Sequence, residues 1–321
     1  MTLPMRVTPP VKQIAPDAPP SFGSQETPQP ERAEHAETRL VMCPPKYLST
    51  RIPNNVWMKQ EKVDVERALR QYSRIKNVLT ALGKTVLEIP PVQGAQDQTY
   101  VANIGIALDP YIVIAYYKAP GRAIEVAPAE RFFKQLGYQG IQPPYHFEGE
   151  ADLKKLRDGV YFGGWGQFTE PKALDWIEEQ TGIEIVRLHE VSDELYHLDC
   201  SIFVIDEENV LVTQPGLDKQ SIKTVERYAN VIMTPSGTKG INSTGITNGV
   251  KIPEKKVFLS GTFMPEMPSY RKAMEWVLKT FDQFGYTVIL LDTDEADKSG
   301  ADLSCMVMHL DFEPQQQQVV K

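Results

Sequence analysis

LGKTVLEI (residues 82–89) compresses a helix end, a glycine and a short β-branched strand into eight residues. Four further stretches follow it, the third without the glycine: LGYQGIQP (136–143), TGIEIVRL (181–188), YANVIMTP (228–235) and FGYTVILL (284–291). Gly83, Gly137, Gly182 and Gly285 stand where four of the helices should stop, because a helix C-terminus commonly needs a left-handed residue and glycine adopts that conformation most readily. After each strand comes a polar cluster: TYVANIG (99–105), FEGEAD (147–152), YHLDCS (196–201), STGITNG (243–249) and GADLSC (300–305). Helix, strand and polar loop recur with a period of roughly 45–55 residues, the mark of a unit that cannot bury its apolar face alone. Five such units closing into a ring would bring equivalent loops to one central mouth.

The rest of the pattern fits mixed α/β units with strands inside and helices outside. Apolar residues at Val65, Leu69, Tyr72, Ile75, Leu79 and Leu82 predict a one-faced helix over 61–82. Further helices are predicted at 128–136, 171–181, 218–228 and 268–284, with Pro171 and Pro268 in first turns. The runs IGIAL, YIVIAYY, SIFVID, NVLVT and KVFLSG predict strands, and RLVMCPP opens the fold near Arg39. Residues 1–38 hold eight of the 25 prolines and little that could form a core, which predicts a disordered tail. Residues 313–321 read as a second loose end, leaving 39–312 as one domain.

A net charge of −8 and a pI near 5.3, with no Lys/Arg cluster among aromatics, argue against a nucleic-acid partner and suit a cationic small molecule. Cys43, Cys200 and Cys305 are odd in number and far apart, so a disulfide framework is not expected and a reducing compartment is favoured. No metal-ligand spacing, signal-peptide pattern or apolar run long enough to span a bilayer is visible, so the expectation is a cytoplasmic protein without a membrane partner. A homo-oligomer is left open.

Four of the five polar clusters carry residues suited to chemistry. Cys305 follows a flexible Ser-Gly-Ala stretch that would let backbone dipoles approach a thiolate, although a buried Cys also serves as a small hydrophobe. His197 and Asp199 flank Leu198; on a strand both would face one side, either as an oriented general acid or as a surface pair. Glu148 and Asp152 bracket a turn freed by Gly149, and shielded carboxylates of this kind suit a planar guanidinium, the alternative being a solvated acidic turn. Asn103, between Val101 and Ile104, could cap a turn or accept a substrate N–H.

In order and spacing these blocks resemble the guanidine-modifying enzymes of the pentein superfamily: arginine deiminases, dimethylarginine dimethylaminohydrolases, glycine amidinotransferases and arginine dihydrolases. RLVMCPP with NNVWM (54–58), DQTYVAN (97–103), FEGEAD, YHLDC and the final SG-x-x-x-x-C carry the resemblance, which runs from about Arg39 to Leu310. It implies a five-bladed α/β propeller of ββαβ-type repeats, with Cys305 as nucleophile, His197 as general acid/base, and Glu148 with Asp199 gripping the guanidinium. Asn103 stands where deiminases usually carry a second gripping Asp, and its VAN is comparable to the TAN of the dihydrolase-like branch. Asn55, Asp97 and Asp152 match positions that support or line the site. No cofactor is implied, and the partner is a small guanidino compound.

One position departs from the family. The turn GxGxR(S/T), whose Arg typically binds the substrate α-carboxylate, reads GWGQFTE (164–170) here, with Phe168 at the Arg position. Either another basic residue, for example Arg122 or Lys298, takes over, or the substrate is not free arginine in the usual pose. The expected activity is a cysteine-dependent hydrolase of arginine or a substituted arginine, deiminase or dihydrolase, working through a covalent thiouronium. An amidinotransferase on the same Cys/His pair, or a non-catalytic binding protein on the same fold, stands as the alternative.

Overall fold

The computed structural model describes residues 38–59, 62–235, 246–261 and 268–314, which lie within one compact unit, residues 36–321. The two predicted tails lie outside the described residues except for Thr38, Glu313 and Pro314. Fifteen strands form five three-stranded sheets among the described residues. In chain order they are β1 (Arg39–Met42), β2 (Val86–Glu88), β3 (Gly105–Leu108), β4 (Tyr111–Ile114), β5 (Gln139–Ile141), β6 (Leu153–Arg157), β7 (Val160–Trp165) and β8 (Glu184–His189). There follow β9 (Ile202–Val204), β10 (Asn209–Val212), β11 (Asn230–Met233), β12 (Val250–Ile252), β13 (Val257–Ser260), β14 (Thr287–Leu290) and β15 (Met308–Leu310). Helices α1 (Val65–Ala81), α2 (Val126–Gln135), α3 (Pro171–Thr181), α4 (Lys219–Val225) and α5 (Pro268–Gln283) each precede the third strand of a sheet.

Every sheet repeats one topology: an antiparallel pair, a helix, and a third strand parallel to the middle one, as in β3-β4-α2-β5. The first sheet draws on both ends of the fold, since β15 lies antiparallel to β1 with Met308 opposite Val41, and β2 lies parallel on the other side. That pairing closes the five units into the α/β propeller expected from the repeat.

The signals that define the units are visible in the backbone. Gly83, Gly137, Gly182 and Gly285 all have positive φ, between 71° and 90°. After α1 the N–H of Lys84 reaches back to Leu79 O at 3.0 Å, and after α2 that of Tyr138 reaches Phe133 O at 3.0 Å, bonds that satisfy the last helix carbonyls. α1 starts at Val65 rather than in the predicted 61–64 because Asp64 caps it, accepting from Arg67 N at 3.0 Å.

Burial on both strand faces explains why these strands read as apolar runs. Leu40 and Met42 point to a core shared with Val257 and Leu259 of the fifth sheet, whereas Val41 between them joins Ile112, Ile114 and Phe133 of the second unit. Likewise Phe203 joins Phe258 and Phe281, while its neighbours Ile202 and Val204 join Phe162 and Leu188. The period of two thus sends alternate side chains into the cores on either side of each sheet. Five cores, each between adjacent sheets, hold the ring together at about 1.5–3 kcal/mol per fully buried large side chain.

Candidate active site

The polar cluster after each third strand leads into the first strand of the next sheet. Four of them tighten into single 3₁₀ turns: Val101–Asn103, Gly149–Ala151, Leu198–Cys200 and Ser304–Met306. With three residues per turn, positions two apart point in different directions rather than to one side. This corrects the strand reading of the His197/Asp199 pair. His197 sits at the N-cap of its turn and its Nδ1 lies 2.8 Å from Asp152 Oδ1, whereas Asp199 turns toward the fifth cluster, accepting from Ser304 Oγ at 2.6 Å and lying 3.6 Å from Cys305 Sγ.

The turns converge on a cavity of about 390 Å³, counted to its mouth. Cys305, His197, Glu148, Asn103, Asn55, Asp97 and Phe168 all line it. Asp152 and Asp199 stand behind that wall, fully buried, one holding His197 and the other beside Cys305. Asp152 is itself fixed by Leu198 N–H at 3.2 Å and Thr169 Oγ at 2.6 Å. Glu148 uses one oxygen, Oε2, for Asn103 Nδ2 (3.3 Å), His197 Nε2 (3.5 Å) and Arg122 Nη1 (3.7 Å). Its other oxygen, Oε1, is buried with no hydrogen-bond partner among the described residues. Asn55 organises the mouth: its Nδ2 donates to Ser299 O at 2.9 Å and its Oδ1 accepts from Trp57 N at 2.9 Å.

Electrostatics acts differently on His197 and Cys305. Burial alone would lower the His197 pKa, but the Asp152 carboxylate, then Glu148 and Asp199, outweigh it and hold the imidazole at about 9. Cys305 moves the other way from what a poised thiolate requires. Burial, followed by the charge of Asp199, raises its pKa well above the ordinary thiol range, and the Asp302 backbone and Asn248 amide offset only part of this. Asn103 Nδ2 lies 3.0 Å from His197 Nε2, which suits a neutral ring; when Nε2 carries a proton the amide must present Oδ1 instead.

Asn248, from the fourth cluster, is a contact that sequence reasoning missed. Its Oδ1 accepts from the Ser304 N–H at 2.9 Å and its Nδ2 donates to Cys305 Sγ at 3.3 Å, so it holds both the turn and the thiol. Residues 243–245 of that cluster lie outside the described residues. The signal was present: Asn248 stands two residues before β12 as Asn103 stands two before β3.

Phe168 is 7% exposed, with its ring centroid 5.0 Å from that of His197, so the wall at the usual Arg position is aromatic. Of the two basic candidates, Arg122 lines the cavity. It is bound through Nη2 to Glu125 at 2.8 Å, donates to the Asp97 and Tyr100 carbonyls and lies 4.4 Å from the Tyr117 ring centroid. Lys298 does not line it and pairs with Glu295 at 2.8 Å.

No family model matches the chain. The N(G),N(G)-dimethylarginine dimethylaminohydrolase of Mycobacterium tuberculosis is 29% identical over 188 residues, 58% of this chain and 62% of that protein. The bifunctional arginine dihydrolase/ornithine cyclodeaminase ArgZ of Synechocystis is 25% identical over 195 residues, 59% of this chain and 28% of that protein. The matched stretch therefore spans less than two thirds of either curated relative. Among solved structures, the N-terminal domain of ArgZ covalently bound to a reaction intermediate superposes with a TM-score of 0.78 at 20% identity, covering 86% of this chain and 98% of that one. The chain has the pentein fold. A dimethylarginine dimethylaminohydrolase adduct with S-methyl-L-thiocitrulline superposes with a TM-score of 0.67 at 18% identity, over 85% of this chain and 99% of that one. These matches bear out the resemblance to guanidine-modifying penteins read from the sequence.

Proposed function

We propose that this pentein is a cysteine-dependent hydrolase that cleaves a guanidine C–N bond of arginine or a substituted arginine through a covalent thiouronium. The observation that carries the reading is one cavity uniting the Cys305 thiol, the His197–Asp152 pair and Glu148, whose Oε1 is an unpartnered, buried carboxylate oxygen. A guanidinium is a poor electrophile because resonance spreads its charge. Glu148 Oε1 accepts from its N–H groups and holds the plane. The same cation beside Cys305 offsets the burial that keeps the thiol protonated, and Asp199 Oδ2 at 3.6 Å is placed to take the departing proton. Sγ then bonds to the guanidine carbon, the C–N bond breaks, and the His197 imidazolium protonates the leaving nitrogen. Neutral His197 next draws a proton from water as the oxygen attacks the thiouronium carbon, and the C–S bond breaks.

A dihydrolase is favoured by Asn103, whose amide touches both Glu148 and His197. The ureido product of a first round is neutral, and a neutral amide at that place adds no charge that a second round would leave uncompensated. Amidino transfer would use the same intermediate with an amine in place of water. The cytoplasmic reading rests on the three cysteines being free thiols. Among the described residues no helix is long and apolar enough to cross a membrane. Mass spectrometry of products from arginine, methylarginines and agmatine, with and without glycine as acceptor, tests the proposal. Ammonia or an alkylamine should form, and glycine should not accelerate turnover; glycine-dependent guanidinoacetate would replace hydrolase by transferase, and turnover by Cys305→Ala would remove the mechanism.

A further inference from the structure

Met308 and Leu310 of β15 enter the core that holds Val41 and Ile112, so the strand's alternation turns His309, between them, to the other side. There it meets Glu150, 159 positions earlier in the chain. The His309 backbone N–H donates to Glu150 Oε2 at 2.8 Å, and its Nδ1 lies 2.7 Å from Oε1, so one residue engages both carboxylate oxygens. Burial works against charge on either partner, but each offsets it for the other: the carboxylate raises the His309 pKa, and the imidazole lowers that of Glu150. A two-point bond between opposite charges fixes orientation as well as distance.

Glu150 does not line the catalytic cavity, but it belongs to the 3₁₀ turn that carries Glu148 at its N-cap. Gly149, between the two, has φ +66° and seats the turn against the backbone around Asn103: a Cβ there would collide with Ala102 O and lie 2.8 Å from Gly105 N. On the far side of Gly149 the Glu148 N–H donates to Thr169 Oγ at 3.1 Å. The main chain of Glu148 is therefore held from two directions, by Thr169 before the glycine and by His309, through Glu150, after it. Its Oε1, by contrast, has no partner among the described residues, so where that oxygen points depends on how the turn is set.

The geometry points to His309 as a positioning residue: through Glu150 it holds the turn of Glu148 in the place from which Oε1 grips the guanidinium. This deepens the hydrolase reading and rests on it. The strand that closes the ring thus also sets the grip on the substrate. The test measures kcat and KM for wild type, His309→Leu and His309→Asn on whichever of L-arginine, Nω-methyl-L-arginine and agmatine the wild type turns over fastest. His309→Leu keeps the backbone N–H but has no side-chain donor for Oε1, and should raise KM about tenfold with kcat within about threefold. His309→Asn, whose amide N–H stands near the place of Nδ1, should return KM to within about twofold of wild type. Should His309→Leu not fold, Glu150→Gln, which keeps an oxygen for the backbone N–H and loses the charge, carries the same rise in KM. Unchanged KM, a fall in kcat at constant KM, or His309→Asn no better than His309→Leu overturns the assignment and leaves the hydrolase reading in place; turnover of none of the three compounds by the wild type overturns both.

Discussion

Asp152 Oδ1, 2.8 Å from His197 Nδ1, is the main charge holding the imidazole protonated to about pH 9. Asp152→Asn should therefore shift the upper limb of the kcat profile toward or below the ordinary histidine value, and lower kcat at pH 8 by about 10–100-fold. The same pair feeds stability. A histidine raised on folding stabilises fully below its unfolded pKa of about 6.5 and loses that contribution as pH rises through about 9. Wild type should lose stability relative to Asp152→Asn across that window in urea titrations, and parallel curves would dissociate the pair from stability. Asn248→Ala leaves Cys305 without its amide donor and the turn without its anchor, and should reduce kcat by about 10²-fold with KM little changed. The residue types at the site were legible in the sequence, but their pairing was not. His197 takes Asp152, 45 positions away, rather than Asp199, because a 3₁₀ turn replaces the strand that would have put 197 and 199 on one side. Nor could spacing show that burial would raise the Cys305 pKa, since that depends on what closes over the thiol.

At the level of elements, the glycine stops and the apolar runs were readable because they are local: a left-handed C-cap and a strand buried on both faces each leave their mark within a few residues. Which core a strand side chain enters is a matter of ring assembly and leaves no such mark. The two kinds of feature differ in energy. Gly182→Ala meets nothing within 4 Å and incurs only the strain of a side chain at φ +71°, about 1–2 kcal/mol. Phe281 is fully buried, stacked 3.8 Å from Phe258 and set edge-on to Phe203, so Phe281→Ala should cost about 3–5 kcal/mol. Denaturant midpoints of the two variants measure the difference, and equal losses would show that the core relaxes around the missing ring.

For the whole molecule, the Pro-rich composition of the first 36 residues predicts that removing them leaves kcat/KM within about threefold. Steady-state kinetics on the shortened protein check this, and a collapse of activity would tie the segment to the ring. The five-unit architecture was legible from repetition alone, but the partner strand for β1 was not, because it comes from the far end of the sequence. That closure has a consequence for how the protein is made. Cys305 lies three residues before the strand that seals the first sheet, so a growing chain cannot expose its thiol to a finished pocket until the last stretch has emerged and docked. Synthesis and completion of the pocket are thereby locked to the same event: a ribosome that stalls before residue 304 releases a product lacking both the clasp and the thiol.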